Sequence, residues 1–156
     1  MRASGARPPA AVFAPACGHC VARLVAALLL SAAACSKSPE KQASESVGTI
    51  RSWTATARLV SESWLQHKVP TVYARSTLEK AGTSLAQEVG MLEAAPPPPD
   101  VRGELGLLRA PAASARRIAQ AVERDDRAAV QRELATLAGL DERIGALDER
   151  LSARER

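Results

Sequence analysis

Apolar residues recur every three or four positions in four stretches of this chain, and prolines or paired aspartates stand between them. In the first stretch Val47, Ile50, Trp53, Ala57, Val60 and Trp64 are separated by 3, 3, 4, 3 and 4 residues. That spacing follows one face of an α-helix. The reading places a first helix over about Ser44 to His67. Arg58 and Glu62 fall off the apolar face and are spaced to pair. A second helix is expected over about Pro70 to Glu93, with Leu78, Ala81, Leu85, Val89 and Leu92 on its apolar face. Lys68 and Val69 leave room for only a short joint, which requires the two helices to run antiparallel.

Pro96, Pro97, Pro98 and Pro99 interrupt the helical pattern and favour an extended, stiff spacer. Beyond them Asp100 is positioned to cap a third helix. That helix would carry Leu105, Leu108, Ala112, Ala115, Ala119 and Val122 on one face. Pro111 lies inside it and is expected to kink or split it. A fourth helix should begin at Asp125 or Asp126, where a carboxylate meets the free amides of a first turn. Its stripe is Val130, Leu134, Leu137, Ile144, Leu147 and Leu151, with Leu140 beside it. No stretch sustains the alternation of a strand. Four stripes of similar length imply an all-α, antiparallel up-down four-helix bundle over residues 44–156. The alternative is a pair of long helical hairpins that completes its core by dimerising.

The first 34 residues have a different character. They contain no Asp or Glu, and they carry Arg2, Arg7 and Arg23 ahead of an apolar run from Leu24 to Leu30. A basic start, a short apolar run and a small-residue exit describe a secretory signal peptide over residues 1–34. The run is far shorter than the roughly 20 residues that span a bilayer. Those three arginines account for most of the formal +4 charge, leaving +1 on the remainder. The balance gives no concentrated basic surface of the kind that binds nucleic acid, and no nucleic-acid partner is expected.

Leu28-Leu29-Leu30-Ser31-Ala32-Ala33-Ala34-Cys35 resembles the lipobox of bacterial lipoproteins. It departs in one place, because Ala32 stands where that family usually has Leu. The resemblance implies a thioether-linked diacylglycerol on Cys35, cleavage before it, and a further acyl chain such as palmitate on the new amino terminus. It also implies a cell-envelope protein held on a membrane through that lipid. Two acyl chains suffice for stable anchoring. Ser36 resembles the residue that permits export to the outer membrane, which places the mature protein on its periplasmic face. Ala32 and Ala34 also fit ordinary signal cleavage, which would leave the same end without lipid. Residues 35–43 are polar and read as a flexible tether.

Cys17-Gly18-His19-Cys20 matches the CGHC site of thioredoxin-like oxidoreductases. That chemistry requires a strand before the motif and a helix after it. Here prolines precede it and a signal's apolar run follows, so it is expected to leave with the signal. A later start at Val21 would remove it altogether. Zinc binding would need a second pair of ligands, and none follows. With Cys35 lipidated, the mature domain has no disulfide and depends on packing.

Trp53, Trp64 and Tyr73 are the aromatic residues of the mature chain. The two tryptophans are 11 residues apart, about three helical turns, and share a face. Core packing is the expected role, with an aromatic-lined ligand site as the alternative. His67 and Met91 fall at opposite ends of the second helix, too far apart to share an iron. No haem-attachment or Glu-x-x-His pattern occurs, and no cofactor or metal is expected. Asp125-Asp126, Asp141-Glu142 and Asp148-Glu149 alternate with Arg124, Arg127, Arg143 and Arg150, the pattern of a solvated face. No nucleophile with a base partner and no phosphate loop is found. The function expected is therefore non-catalytic: a membrane-tethered helical interaction or scaffolding lipoprotein of the envelope with a protein partner. The alternative is a small-ligand-binding lipoprotein with its site near Trp53 and Trp64.

Overall fold

The structure is a computed structural model that describes residues 38–94 and 97–154. Among these residues the chain is all helical. The elements are α1 (Pro39–Leu65), α2 (Thr71–Ala94), the short α3 (Pro99–Gly103), α4 (Leu105–Glu123) and α5 (Arg127–Arg154). The compact unit they build spans Lys37–Arg156. Helices α1, α2, α4 and α5 pack in a ring in that order, so α1 closes on α5, while α1 and α4 touch little across the diagonal. The expected four-helix bundle is thus complete within one chain, and its core needs no second hairpin pair.

The apolar stripes account for the core. Val47, Ile50, Ala57, Val60 and Trp64 are buried on α1, and Leu78, Ala81, Leu85, Val89 and Leu92 on α2. Leu108, Ala112, Ala115, Ala119 and Val122 do the same on α4, and Val130, Leu137, Ile144, Leu147 and Leu151 on α5. Trp53, Leu105 and Leu140 pack at its margin. Burial of apolar surface at about 25 cal/mol per Å² is the main term holding these helices together. Hydroxyls inside the core are satisfied locally. Thr54 and Ser61 donate to the carbonyls of Ile50 and Ala57, at 2.8 and 2.6 Å, which spares the cost of an unpaired buried donor.

The first helix begins five residues before the expected Ser44. Ser38 accepts a hydrogen bond from the Lys41 amide at 3.2 Å, Pro39 takes the first helical position, and Glu40 lies in the first turn. Each is a favourable start signal. Residues 39–43 therefore belong to the bundle rather than to the tether, and Ala43 is buried.

Two further boundaries differ from expectation. Asp100 is not a cap: Pro98 precedes the helix, Pro99 sits in its first turn, and Asp100 instead pairs with Arg154. The interruption expected at Pro111 falls at Glu104, between α3 and α4, and α4 continues through a buried Pro111. A proline there removes one hydrogen bond to the preceding turn, and burial of its ring among the core residues offsets that loss.

The two tight turns share one geometry. Lys68 and His67 donate to Ser63 and Trp64 carbonyls at 2.8 and 2.9 Å, while Asp126 and Asp125 donate to Ala121 and Val122 carbonyls at 2.9 and 3.2 Å. These are Schellman closures. The left-handed position, usually glycine, is His67 at φ 58° and Asp125 at φ 53°. Asp126 then caps α5, accepting from the Ala129 amide at 2.9 Å.

The most extensive helix pair is α2 with α4. A Cβ on Gly82 would lie 3.3 Å from the Ala112 carbonyl oxygen and 3.0 Å from Arg116 Cγ. A large side chain there must force the helices apart. Gly82→Leu is expected to lower stability by about 1–3 kcal/mol, the usual cost of overpacking. Gly139 on α5 faces open space, so Gly139→Ala should raise stability by about 0.5–1 kcal/mol through helix propensity. Denaturant midpoints of the two variants check both signs.

Candidate functional site

Cys35, Cys17 and Cys20 lie outside the described residues. The functional candidates within them are the aromatic residues, the acidic pairs of α5, and the clefts.

Trp64 is 3% exposed. Its indole N–H donates to Thr71 Oγ1 at 3.2 Å, across the turn into α2. The Arg127 guanidinium carbon stands 5.2 Å from its ring centroid, within cation–π range. Arg127 also donates to the Leu65 carbonyl, one of the carbonyls left open at the end of α1. One tryptophan thus joins the end of α1, the start of α2 and the start of α5. Tyr73 does not take part, being 53% exposed, and Trp53 is only half-buried. The three aromatics do not line a common cleft. This environment is that of a packing residue whose polar edge is satisfied.

The acidic residues of α5 divide by position. Asp148 accepts from Arg51 at 3.0 Å and Asp141 from Arg58 at 2.6 Å. Seven residues forward along α1 match seven residues back along α5, as antiparallel packing demands. The expected solvated face is thus corrected at these two positions: their partners come from α1 rather than from neighbouring arginines of α5. Arg58 keeps its expected contact with Glu62 at 3.8 Å. Arg51 also lies over Gly145, where a Cβ would meet the guanidinium at 3.5 Å.

The other joints carry similar pairs. Arg117 on α4 reaches Glu133 on α5 at 2.7 Å, and Arg109 on α4 reaches Glu93 on α2 at 2.7 Å. Arg75 on α2 reaches Glu123 on α4 at 2.8 Å. Arg150 approaches Glu104 at 3.6 Å, and with Arg154 and Asp100 it ties the end of α5 to α3. Hydrogen bonding from Arg117 holds the Glu133 carboxyl below its ordinary value, against a smaller opposing effect of burial. Arg109 does the same for Glu93.

Among the described residues no group of three or more His, Cys, Asp or Glu side chains could hold a metal ion, and no helix is long and apolar enough to cross a membrane. His67 is exposed in its turn, and Met91 is 48% exposed near the far end of α2. Two clefts are apolar enough to note. One is a notch at the end of the bundle that holds the start of α1, lined by Pro39, Ala43, Met91, Leu92, Pro97 and Pro98. The other is a shallow groove between α2 and α4, floored by Ala86, Gly90 and Ala113 and edged by Glu93, Arg109 and Arg116. Neither was legible in the periodicity, because each joins residues from separate helices. No family model matches the chain, and neither a curated protein nor a solved structure is detectably similar to it.

Truncation of Trp64 should be severe. Trp64→Ala is expected to cost about 3–5 kcal/mol, a large part of an ordinary domain stability of about 5–15 kcal/mol. Thermal melting measures it, and a shift of only a degree or two would contradict the packing role.

Glu133 has a folded-state pKa below its unfolded value, so the pair stabilises the fold above the unfolded pKa of about 4.3 and this contribution is lost as pH falls through the folded value. Melting temperatures from pH 6 to about pH 3 should fall more steeply for the parent than for Arg117→Ala, in which Glu133 loses the largest cause of its lowering.

Proposed function

We propose that this chain is a lipid-anchored, non-catalytic interaction module of the bacterial envelope, held through Cys35 on the periplasmic face of the outer membrane. The observation that carries the reading is the junction of two sequence features. A basic, then apolar, then small-residue segment ends at Cys35, and a capped helix begins at Pro39, four residues later. The folded unit thus starts almost where the signal would be removed, as expected for a signal followed by its cargo.

A protein partner is supported by apolar surface at the other end of the bundle. Val72 is 75% exposed and Tyr73 53% in the first turn of α2, and Leu59 is exposed near the end of α1. Val72 and Tyr73 are adjacent in one helical turn, and apolar and aromatic side chains of this kind supply the core of a protein contact. The non-catalytic reading draws support from the acidic residues. Those of α5 that approach the core are engaged by arginines of α1 and α4, an arrangement of cross-helix ties rather than of a proton-transfer site.

The decisive residue is Cys35. Cys35→Ala should abolish metabolic labelling with palmitate and move the protein from the membrane fraction to the soluble envelope fraction. A variant that remains with membranes through a high-salt wash overturns the anchor.

A further inference from the structure

The early start of α1 limits how far an anchored bundle can stand from its membrane. Three residue steps separate Cys35 from Ser38, the helix cap. Fully extended, they span about 11 Å at most. Helix α1 has 27 residues and is therefore about 40 Å long. The tether is thus about a quarter of the height of the body it holds. Its attachment is at the end formed by the start of α1, the end of α2, α3 and the end of α5.

That end has the chemistry of an interfacial surface. Its notch is lined mainly by apolar residues, Pro39, Ala43, Met91, Leu92, Pro97 and Pro98, with Gln42 and Ser46 beside them, and Met91 is left 48% exposed. An unbranched, polarizable side chain suits contact with irregular apolar surroundings. Charged groups of both signs stand at this end: Glu40 and Lys41 are exposed on the first turn of α1, Glu93 is exposed near the end of α2, and Arg102 on α3 donates to the Pro97 carbonyl at 3.3 Å. Long basic side chains can lay their methylenes on apolar surface while the charge meets phosphate. Arg–carboxylate pairs run along the long walls of the bundle and also join α3 to the end of α5; burying such pairs against lipid would cost desolvation, so at the basal end the contact is confined to the notch and its rim.

We propose that this basal end is a second membrane contact: it rests on the phospholipid surface, with Met91 and the prolines of the notch at headgroup depth and Lys41 and Arg102 beside lipid phosphates. The contact rests on the reading of Cys35 as the lipidated residue. It adds to that reading an orientation, with α1 upright and the exposed Val72 and Tyr73 turned away from the bilayer. Met91 and Val72 lie 19 residues apart on one helix, so they differ in height by about 28 Å.

That difference supplies the test. The processed lipoprotein is reconstituted on phosphatidylethanolamine–phosphatidylglycerol vesicles after an environment-sensitive thiol fluorophore is placed on Met91→Cys, on Arg102→Cys as a second basal position, or on Val72→Cys. Cys35 carries lipid and does not compete for the label. The expected result is a blue shift and quenching by spin-labelled lipid at both basal positions, with neither at Val72. Equal spectra at basal and distal positions on vesicle-bound protein overturn the contact and leave the anchor standing. Protein that fails to stay with the vesicles and carries no lipid by mass overturns the anchor, and the contact with it.

Discussion

The bundle depends on close approach between helices whose core mixes alanine with leucine, isoleucine and valine. Eight of its buried core positions are alanine, and the aromatic content of the whole chain is 3%. Alanine loses no side-chain entropy on burial but offers little surface. A core of this kind gains enough dispersion and dehydration only when backbones come near each other. The Ala112 carbonyl oxygen lies only 3.3 Å from where a Cβ on Gly82 would stand, which shows how near α2 and α4 come. Trp64 is the exception in size, and it sits where three helix ends meet, a place that small residues would leave hollow.

Close packing fixes distance, and at the alanine positions it constrains register least. The cross-helix pairs supply that information. Arg51 with Asp148 and Arg58 with Asp141 permit one alignment of α1 on α5. Arg154 with Asp100 and Arg150 with Glu104, each four residues apart, do the same for α3 on α5. Partly exposed pairs contribute about 0–1 kcal/mol each. Their larger effect is on slipped alignments, in which like charges would meet or a carboxylate would face apolar surface.

Four apolar stripes were legible because a period near 3.6 has few other physical causes, and almost every stripe residue is in or beside the core. The boundaries were harder. Ser38-Pro39-Glu40 is both a polar segment and a strong helix start, and composition alone favoured the first meaning. Pro111 carried too much weight, since a buried ring can compensate for one lost hydrogen bond, while the break at Glu104 falls between Gly103 and Gly106 with no proline. Neither tight turn contains the glycine that would have marked it. The partners of Asp141 and Asp148 depend on which helix lies beside α5, and one-dimensional periodicity does not encode that. Trp64 was legible as a stripe residue, whereas its bond to Thr71 and its contact with Arg127 needed the fold. Cys35 remains a reading of the signal alone.

The two Schellman turns bear on how the chain reaches this state. Each joins its helices through only a few residues, so α1 with α2 and α4 with α5 are hairpins whose contacts are local in sequence. Local contacts require little loop closure before they are rewarded, and helical proteins rich in them fold in microseconds to milliseconds. The pairing of α1 with α5 is the long-range event, uniting segments from opposite ends of the domain. Synthesis from the amino terminus therefore lets the first hairpin assemble before the last helix has emerged, and closure of the ring waits on the arrival of α5.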